Sequence, residues 1–371
     1  MTRPSDIIVV GAGVVGCAIA EELAHRGASV EIIDERPVGM GATQASAGVL
    51  APYIETREGH PLLELTVRSL GLYDAFVARV AADSGVSLEY RRSGTITVAA
   101  DEAEWHALQA AAQFLSRCNA SHALLDAAAA ASEEPHLADS VIGGLLINEH
   151  GFVAANDLTR ALVTSARRRG AQLIEQSKVR RIFTKGDDLV VETDRGTLST
   201  DAVVLAAGSW SGGIEVDGLS ARLPVRPVRG QLLYLSWPGT PLRRVTWTHR
   251  CYFVPWDDGT VLVGATMEEV GFDERVTVAG VRDLLESACE LLPHAWSAGF
   301  RGARVGLRPG TPDDLPVIGV SATMPNLVYA TGHYRNGVLL APLTAQLVAD
   351  ALLERKVDAA LTAVNPARFG L

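Results

Sequence analysis

The apolar positions of this chain fall into two periods. The chain opens on an unbroken apolar run, Ile7-Ile8-Val9-Val10, which predicts a strand buried on both faces. Apolar residues then recur at helical spacing to about His25, and a second strand over 29–33 ends on Asp34. Further strands are expected at 93–98, 189–193, 202–205, 230–235, 251–254 and 260–264. Asp257-Asp258-Gly259 closes the last two into a hairpin, and Asp194-Arg195-Gly196 turns the chain after the second. Segment 101–134 is alanine-rich and predicts helix, with Trp105, Leu108, Phe114 and Leu115 as its apolar positions. Within it, 126–131 reads as a surface helix rather than a linker. A last helical pattern runs from 337 to about 353. Strand–helix units therefore stand at both ends and in the middle, and antiparallel strand-rich segments interrupt them twice. No repeat of solenoid period occurs. The pattern is that of a discontinuous two-domain α/β chain of α+β character.

The glycines give this pattern chemistry. Gly11-Ala12-Gly13-Val14-Val15-Gly16 joins the first strand to the first helix. Gly11 permits the tight turn, Gly13 lets backbone approach a pyrophosphate, and Gly16 lets helix pack on strand. Asp34 lies about twenty residues on, where a carboxylate accepts hydrogen bonds from a ribose hydroxyl. The competing readings are a plain glycine-rich turn and a signal peptide imitated by the uncharged run 7–20. The strand before, the helix after and the acid at the end of the second strand favour a dinucleotide site.

Three further clusters line up behind it. Small residues over 39–48, including Thr43 and Ser46, keep backbone close to something bulky. Ala206-Ala207-Gly208-Ser209-Trp210-Ser211 follows the buried strand 202–205, where ligands sit in a doubly wound sheet. Gly332-His333-Tyr334-Arg335-Asn336-Gly337 opens the last helix, whose N-terminus favours negative charge. Separately, Gly306-Leu307-Arg308-Pro309-Gly310 holds one arginine in a stiff frame, and a planar guanidinium suits a two-point grip on a carboxylate. Each cluster also has a bland reading as a flexible loop, a strand-to-helix connection or a surface arginine.

Composition narrows the class. A hydrophobic share of 48% with 20% charged residues describes a globular chain rather than a disordered one. At 371 residues it is long enough for two domains. A net charge of −10 without a basic stripe argues against nucleic acid as a partner, and Arg167-Arg168-Arg169 reads as a solvated helix end. Cys17, Cys118, Cys251 and Cys289 are scattered without a CxxC pair, so reduced thiols and no metal are expected. The cytoplasm is the expected compartment, with no integral membrane segment.

Nearly the whole chain resembles the D-amino-acid-oxidase-like family of FAD-dependent amine oxidoreductases. The likeness rests on GAGVVG, TQASAGVLAP, VVLAAGSWS, GLRPGTPDDLPVIG and ATGHYRNGVLLAP. GLRPGT together with GHYRNGVLLAP is similar to the glycine oxidase branch of thiamine biosynthesis. The resemblance implies a Rossmann-like FAD-binding domain of the glutathione-reductase type, formed by 1–85, 142–222 and 301–371. An antiparallel-sheet substrate domain, 86–141 and 223–300, interrupts it. FAD is then expected to be held non-covalently, since 306–311 carries no cysteine.

Carried over by position, Gly11, Ala12, Gly13, Val14, Val15, Gly16, Asp34 and Glu35 bind the ADP half. Thr43, Gln44, Ser46, Ala47, Gly48 and Val49 line the pyrophosphate and the isoalloxazine. Val179 touches adenine through its backbone, and Ala207, Gly208, Trp210 and Gly306 border the cofactor. His333, Tyr334, Arg335, Asn336, Gly337 and Val338 wrap the flavin pyrimidine. Arg308 matches the substrate-carboxylate arginine, which also borders the flavin, and Tyr252 matches an active-site tyrosine that shares the carboxylate. His249, Arg250, Val49 and Arg335 belong to the implied substrate pocket. Three positions depart from the branch: Arg250 where a histidine is usual, Val49 for Met, and Trp256 for a basic residue.

The implied reaction is oxidation of a small amino acid or N-methyl amino acid, with oxygen as acceptor and hydrogen peroxide as product, in a homo-oligomer. The alternatives are a dehydrogenase passing electrons to a quinone or carrier, an NAD-dependent dehydrogenase, a non-catalytic flavoprotein, and a flavoprotein that modifies nucleic-acid bases.

Overall fold

The computed structural model describes residues 6–371 apart from 57, 187, 220 and 221. Its nucleotide-type half is built on a six-stranded sheet, ordered Val317–Val320, Leu327–Thr331, Ala202–Leu205, Ile7–Val10, Val30–Ile33 and Gln172–Ile174. All neighbours are parallel except the first pair. Alternate residues serve opposite faces, as the two-residue strand period requires. Ile7, Val9, Ile32, Val204 and Val328 pack on helices Val14–His25, Leu63–Ser84, Ala155–Arg168 and Gly337–Leu353. Ile8, Val10, Ile33, Val203 and Leu205 pack on a smaller sheet of Val179–Lys185, Asp188–Thr193, Gly196–Thr200 and Glu215–Val216. A strand covered on both faces must be apolar throughout, and this explains the unbroken runs.

The other half is an eight-stranded sheet. Its order is Gly299–Gly310, Arg226–Ser236, Thr260–Gly264, Tyr252–Pro255, Val245–Trp247, Thr95–Ala99, Gly143–Ile147 and His122–Asp126. Helix Val278–Leu291 covers one face through Leu284, Ala288 and Leu291. Leu232, Val254 and Leu262 face the opposite way, toward Ala47 and Phe152.

Two expectations need correction. Segment 101–134 is not one helical stretch: helix Glu102–Arg117 and helix Ala127–Glu133 flank the strand His122–Asp126. Helix propensity loses there because Leu124 and Leu125 extend the sheet beside Gly143–Ile147. The division at 142 and 301 also falls too early, since Gly143–Ile147 and Gly299–Gly310 both pair in the large sheet.

One detail of the last helix bears on the site. Pro342 lacks the N–H that would bond the Val338 carbonyl. The Tyr73 hydroxyl donates to that carbonyl instead, and Ser69 Oγ donates to Leu339 O at 2.6 Å. The first turn of Gly337–Leu353 is thereby anchored to helix Leu63–Ser84. Among the described residues no helix is long and apolar enough to cross a membrane.

Candidate active site

A cavity of about 700 Å³ lies between the carboxyl ends of the parallel strands and the large sheet. At one end it meets Gly11, Asp34, Glu35 and Val179; at the other it meets Tyr252, Arg308 and Tyr334. Gly11 sits at φ +111°, and a Cβ there would stand 2.4 Å from Ala206 O. Gly48 sits at φ +67°, where a Cβ would stand 1.8 Å from Val153 O. Both positions admit only glycine. The N-cap residues Gly13 and Asn336 place no side-chain cap on helix Val14–His25 or helix Gly337–Leu353, and residues of both first turns line the cavity. Their backbone N–H groups and dipoles therefore favour negative charge in it. Thr43 Oγ1 accepts the Val14 N–H at 3.0 Å and ties the 42–45 turn to the first helix.

Asp34 is fixed by two main-chain donors, Ala12 N–H at 2.6 Å and Arg36 N–H at 2.8 Å. Burial still raises its carboxyl above the ordinary value, against the pull of those donors. A hydroxyl donor from a ligand would relieve that cost. Arg36 closes the same end: its guanidinium lies 4.1 Å above the Trp210 ring and pairs with Glu274 at 2.8 and 2.9 Å.

At the opposite end, Arg308 and Tyr252 come from different strands of the large sheet. Two glycines make room for them. A Cβ on Gly230 would fall 2.4–2.5 Å from the Arg308 guanidinium, and one on Gly264 would fall 2.5 Å from the Tyr252 ring. Arg308 Nη1 donates to Thr266 O at 3.0 Å and Arg229 O at 3.4 Å. No carboxylate among the described residues pairs with it, so its charge is available to a ligand. Trp247 lies against Tyr252 with ring centroids 4.7 Å apart. His333 is buried beside Thr344 Oγ1 at 3.1 Å, and burial lowers its imidazole to about 3, so it is neutral.

The model of FAD dependent oxidoreductases matches residues 6–351. The chain belongs to that family. It is 36% identical to a glycine oxidase of Geobacillus kaustophilus, over 97% of this chain and 95% of that protein. It is 34% identical to the bifunctional protein ThiO/ThiG of Synechocystis sp., where it matches over its whole length but spans about half (55%) of that relative. The crystal structure of glycine oxidase from Geobacillus kaustophilus superposes with a TM-score of 0.93 at 35% identity, covering 98% of each chain.

The cavity of this FAD-dependent enzyme suits its cofactor: glycine-only backbone where a pyrophosphate must come close, and a buried acid at the nucleoside end. Most residues expected from sequence line it, including Gly13, Val14, Val15, Thr43, Ser46, Ala47, Gly48, Val49, Ala207, Gly208, Arg335, Asn336 and Val338. Four expected cofactor residues do not. Ala12 and Gly16 stand behind the loop, where a Cβ on Gly16 would meet Gly11 O at 2.0 Å. Gly306 packs on the 42–45 turn, with Ala45 Cβ 3.0 Å from a would-be Cβ. Gln44 turns outward, its Nε2 donating to Met40 O at 3.2 Å.

Among the expected pocket residues, His249 and Arg250 line the cavity, but the His249 ring meets Glu104 and the Arg250 guanidinium meets Glu290. Trp256, one of the three departures, does not line the cavity; it packs edge-on against Tyr234. Sequence patterns did not point to Arg36, Trp247, Thr266, Met267, Phe272 or Glu274 as lining residues. The Arg36–Glu274 contact joins residues 238 positions apart, and no local pattern signals such a pair.

Proposed function

We propose that the enzyme oxidises a small amino acid or N-methyl amino acid, such as glycine, sarcosine or a small D-amino acid, at the carbon bearing nitrogen. The imine then hydrolyses to an oxo acid and ammonia or amine. The observation that carries this reading is Arg308 at the cavity end beside Tyr252, without a carboxylate partner among the described residues. A bidentate grip on the substrate carboxylate by Arg308, shared by the Tyr252 hydroxyl, would fix the α-carbon relative to the cofactor. Bound FAD would supply a two-electron hydride acceptor, and oxygen, reduced to hydrogen peroxide, would reoxidise it. Among the described residues, the acids lining the cavity are Asp34, Glu35 and Glu274, all at the nucleoside end; His333 is neutral and engaged, and the His249 ring is engaged by Glu104. No side chain at the substrate end is thus set up as an obligate base, and the substrate reacts as the neutral amine. Trp247, Val49 and Met267 line the cavity too and favour small substrates.

FAD is held non-covalently in this reading. Cys251 lines the cavity, but burial pushes its thiol up to about 11. The unpaired cysteines favour the cytoplasm. Exposed Val278, Trp296 and Phe300, outside the cavity, favour a homo-oligomer, and the two blocks shared with the glycine oxidase branch favour thiamine biosynthesis.

The test is anaerobic titration with glycine, sarcosine, D-alanine and D-proline, following the flavin band near ~450 nm. Bleaching, with colour and stoichiometric peroxide on admitting air, is expected. Bleaching without peroxide would replace oxygen by another acceptor, and no bleaching would end the amine reading. Losing one partner of a buried charge pair costs about 2–5 kcal/mol, so Arg308→Ala should lower kcat/KM by roughly several hundredfold. Unchanged kinetics would remove Arg308 from the site.

A further inference from the structure

The grip of Arg308 depends on two main-chain oxygens, Arg229 O and Thr266 O. Both belong to one small assembly. Strand Thr260–Gly264 pairs with Arg226–Ser236 through Leu232–Gly264, and the chain then runs on beside 229–231. There Arg229 N–H donates to Glu268 O at 2.8 Å, and Glu268 N–H donates to Arg229 O at 3.0 Å. The Glu268 side chain is the node of this continuation. Its Oε2 accepts from Arg229 Nη2 at 2.5 Å, and its Oε1 accepts from Gln231 Nε2 at 2.8 Å and Thr266 Oγ1 at 2.6 Å. Thr266 Oγ1 in turn accepts the Gln231 N–H at 2.9 Å. Arg229 is almost fully buried, and its Nη1 reaches Asp273 at 3.0 Å.

We propose that Glu268 is a positioning residue for Arg308: its carboxylate locks 266–268 against 229–231 and so sets the two carbonyls that orient the guanidinium. This rests on Arg308 being the carboxylate grip. Glu268 neither bonds the Arg308 side chain nor lines the cavity itself. It acts through Thr266 and Arg229. A planar fork gives two parallel bonds to a carboxylate only when its plane is fixed, and Nη1 held by two carbonyls fixes it. Burial alone would raise the Glu268 carboxyl, but hydrogen bonds from Arg229, Gln231 and Thr266 outweigh it and hold it at about 2. The node is therefore charged throughout the working pH range.

The experiment uses the FAD-loaded enzyme and acetate, a carboxylate that cannot be oxidised at nitrogen. Acetate binding is read from the perturbed flavin spectrum, with KM and kcat measured on a substrate that bleaches the flavin. Glu268→Gln keeps the shape and removes the charge. It is expected to raise the acetate Kd and KM together by about tenfold, with kcat at saturation changed less than about threefold and FAD affinity unchanged. Thr266→Val removes the relaying hydroxyl and should move the same quantities less. The double variant should fall short of the product of the two single effects, since both act on one path. Glu269→Gln removes a neighbouring exposed carboxylate and should change nothing.

Arg308→Ala separates the two claims. If it weakens acetate but Glu268→Gln does not, the positioning role is wrong and the grip stands. If Arg308→Ala leaves acetate binding intact, the grip itself is wrong. Loss of FAD affinity in Glu268→Gln, with KM unmoved, would make the node merely structural and overturn the proposal. Should Glu268→Gln fail to fold, Thr266→Val decides: an unmoved acetate Kd overturns the proposal.

Discussion

Replacing Gly230 by Ala puts one methyl group under the Arg308 guanidinium. The new Cβ would stand 2.4 Å from Nη1 and 2.5 Å from Cζ and Nη2. Non-bonded heavy atoms settle at about 3.5–4.0 Å, so the guanidinium must lift by roughly 1 Å. Its bonds to Thr266 O and Arg229 O, now 3.0 and 3.4 Å, cannot both survive that shift. A misplacement of about 1 Å at a positioning group costs roughly hundredfold in rate. The backbone is spared, because Gly230 lies in ordinary strand geometry and the group that must yield is the far end of a flexible side chain. Gly→Ala at a compatible site even stabilises by about 0.4–1 kcal/mol through the unfolded chain. Gly230→Ala should therefore fold, bind FAD and melt no lower than wild type, while kcat/KM falls about hundredfold and acetate binding weakens in step. A fully active variant of unchanged stability would refute this account of Arg308.

Other consequences are open to direct measurement. Burial lowers the His150 imidazole to about 3, so the folded protein holds it neutral while the unfolded chain protonates it below about 6.5. Stability present above that pH is lost as pH falls, at about 1.4 kcal/mol per unit for this one group. In urea denaturation, the stability difference between wild type and His150→Gln should shrink at that slope from about pH 6 to about pH 4; parallel curves would refute it. At the nucleoside end, the Arg36–Glu274 pair is part-exposed and worth no more than about 1 kcal/mol. Glu274→Gln should speed FAD release about three- to fivefold on dilution while leaving KM alone, and an unchanged release rate would exclude a role in holding the cofactor.

The cofactor half was legible because its chemistry is local. The run 7–10, the glycines at 11, 13 and 16, and Asp34 fall within one strand–helix–strand unit, and each residue answers a steric or hydrogen-bonding need that its near neighbours impose. Arg308 stood out by the stiff glycine and proline frame around it, while Tyr252 was singled out only through family likeness, and neither segment alone separates a gripping arginine from a surface one. The reasons that this arginine serves the cavity are nonlocal: Gly230 beneath it, and the carbonyls of residues 229 and 266 at its Nη1. The same blindness made Arg250 look like a pocket charge. Its partner Glu290 sits on a helix elsewhere in the chain and draws the guanidinium away, and Glu104, on another helix, engages the His249 ring. Where propensity alone was used, in 101–134, a strand between two helices escaped notice because sheet pairing outweighed it.

One strand links the two halves of the site. Gly299–Gly310 is the edge of the large sheet, yet its last residues are pinned to the cofactor half residue by residue. Gly306 lies against the 42–45 turn, Leu307 O accepts from Ser209 Oγ at 2.8 Å, and Pro309 O accepts from Tyr334 N–H at 3.0 Å. Arg308 stands between these three anchors, and strand alternation turns its side chain away from its neighbours'. The proposed carboxylate grip is therefore indexed to the cofactor cradle through backbone rather than through the packing of one domain on another. Relative movement of the two sheets would bend this strand before it moved Arg308 away from the loops at 208–210 and 333–338. The proposed orienting residue is thus carried on the segment least free to shift, and the apolar lining, Val49, Trp247 and Met267, is left to other strands and loops.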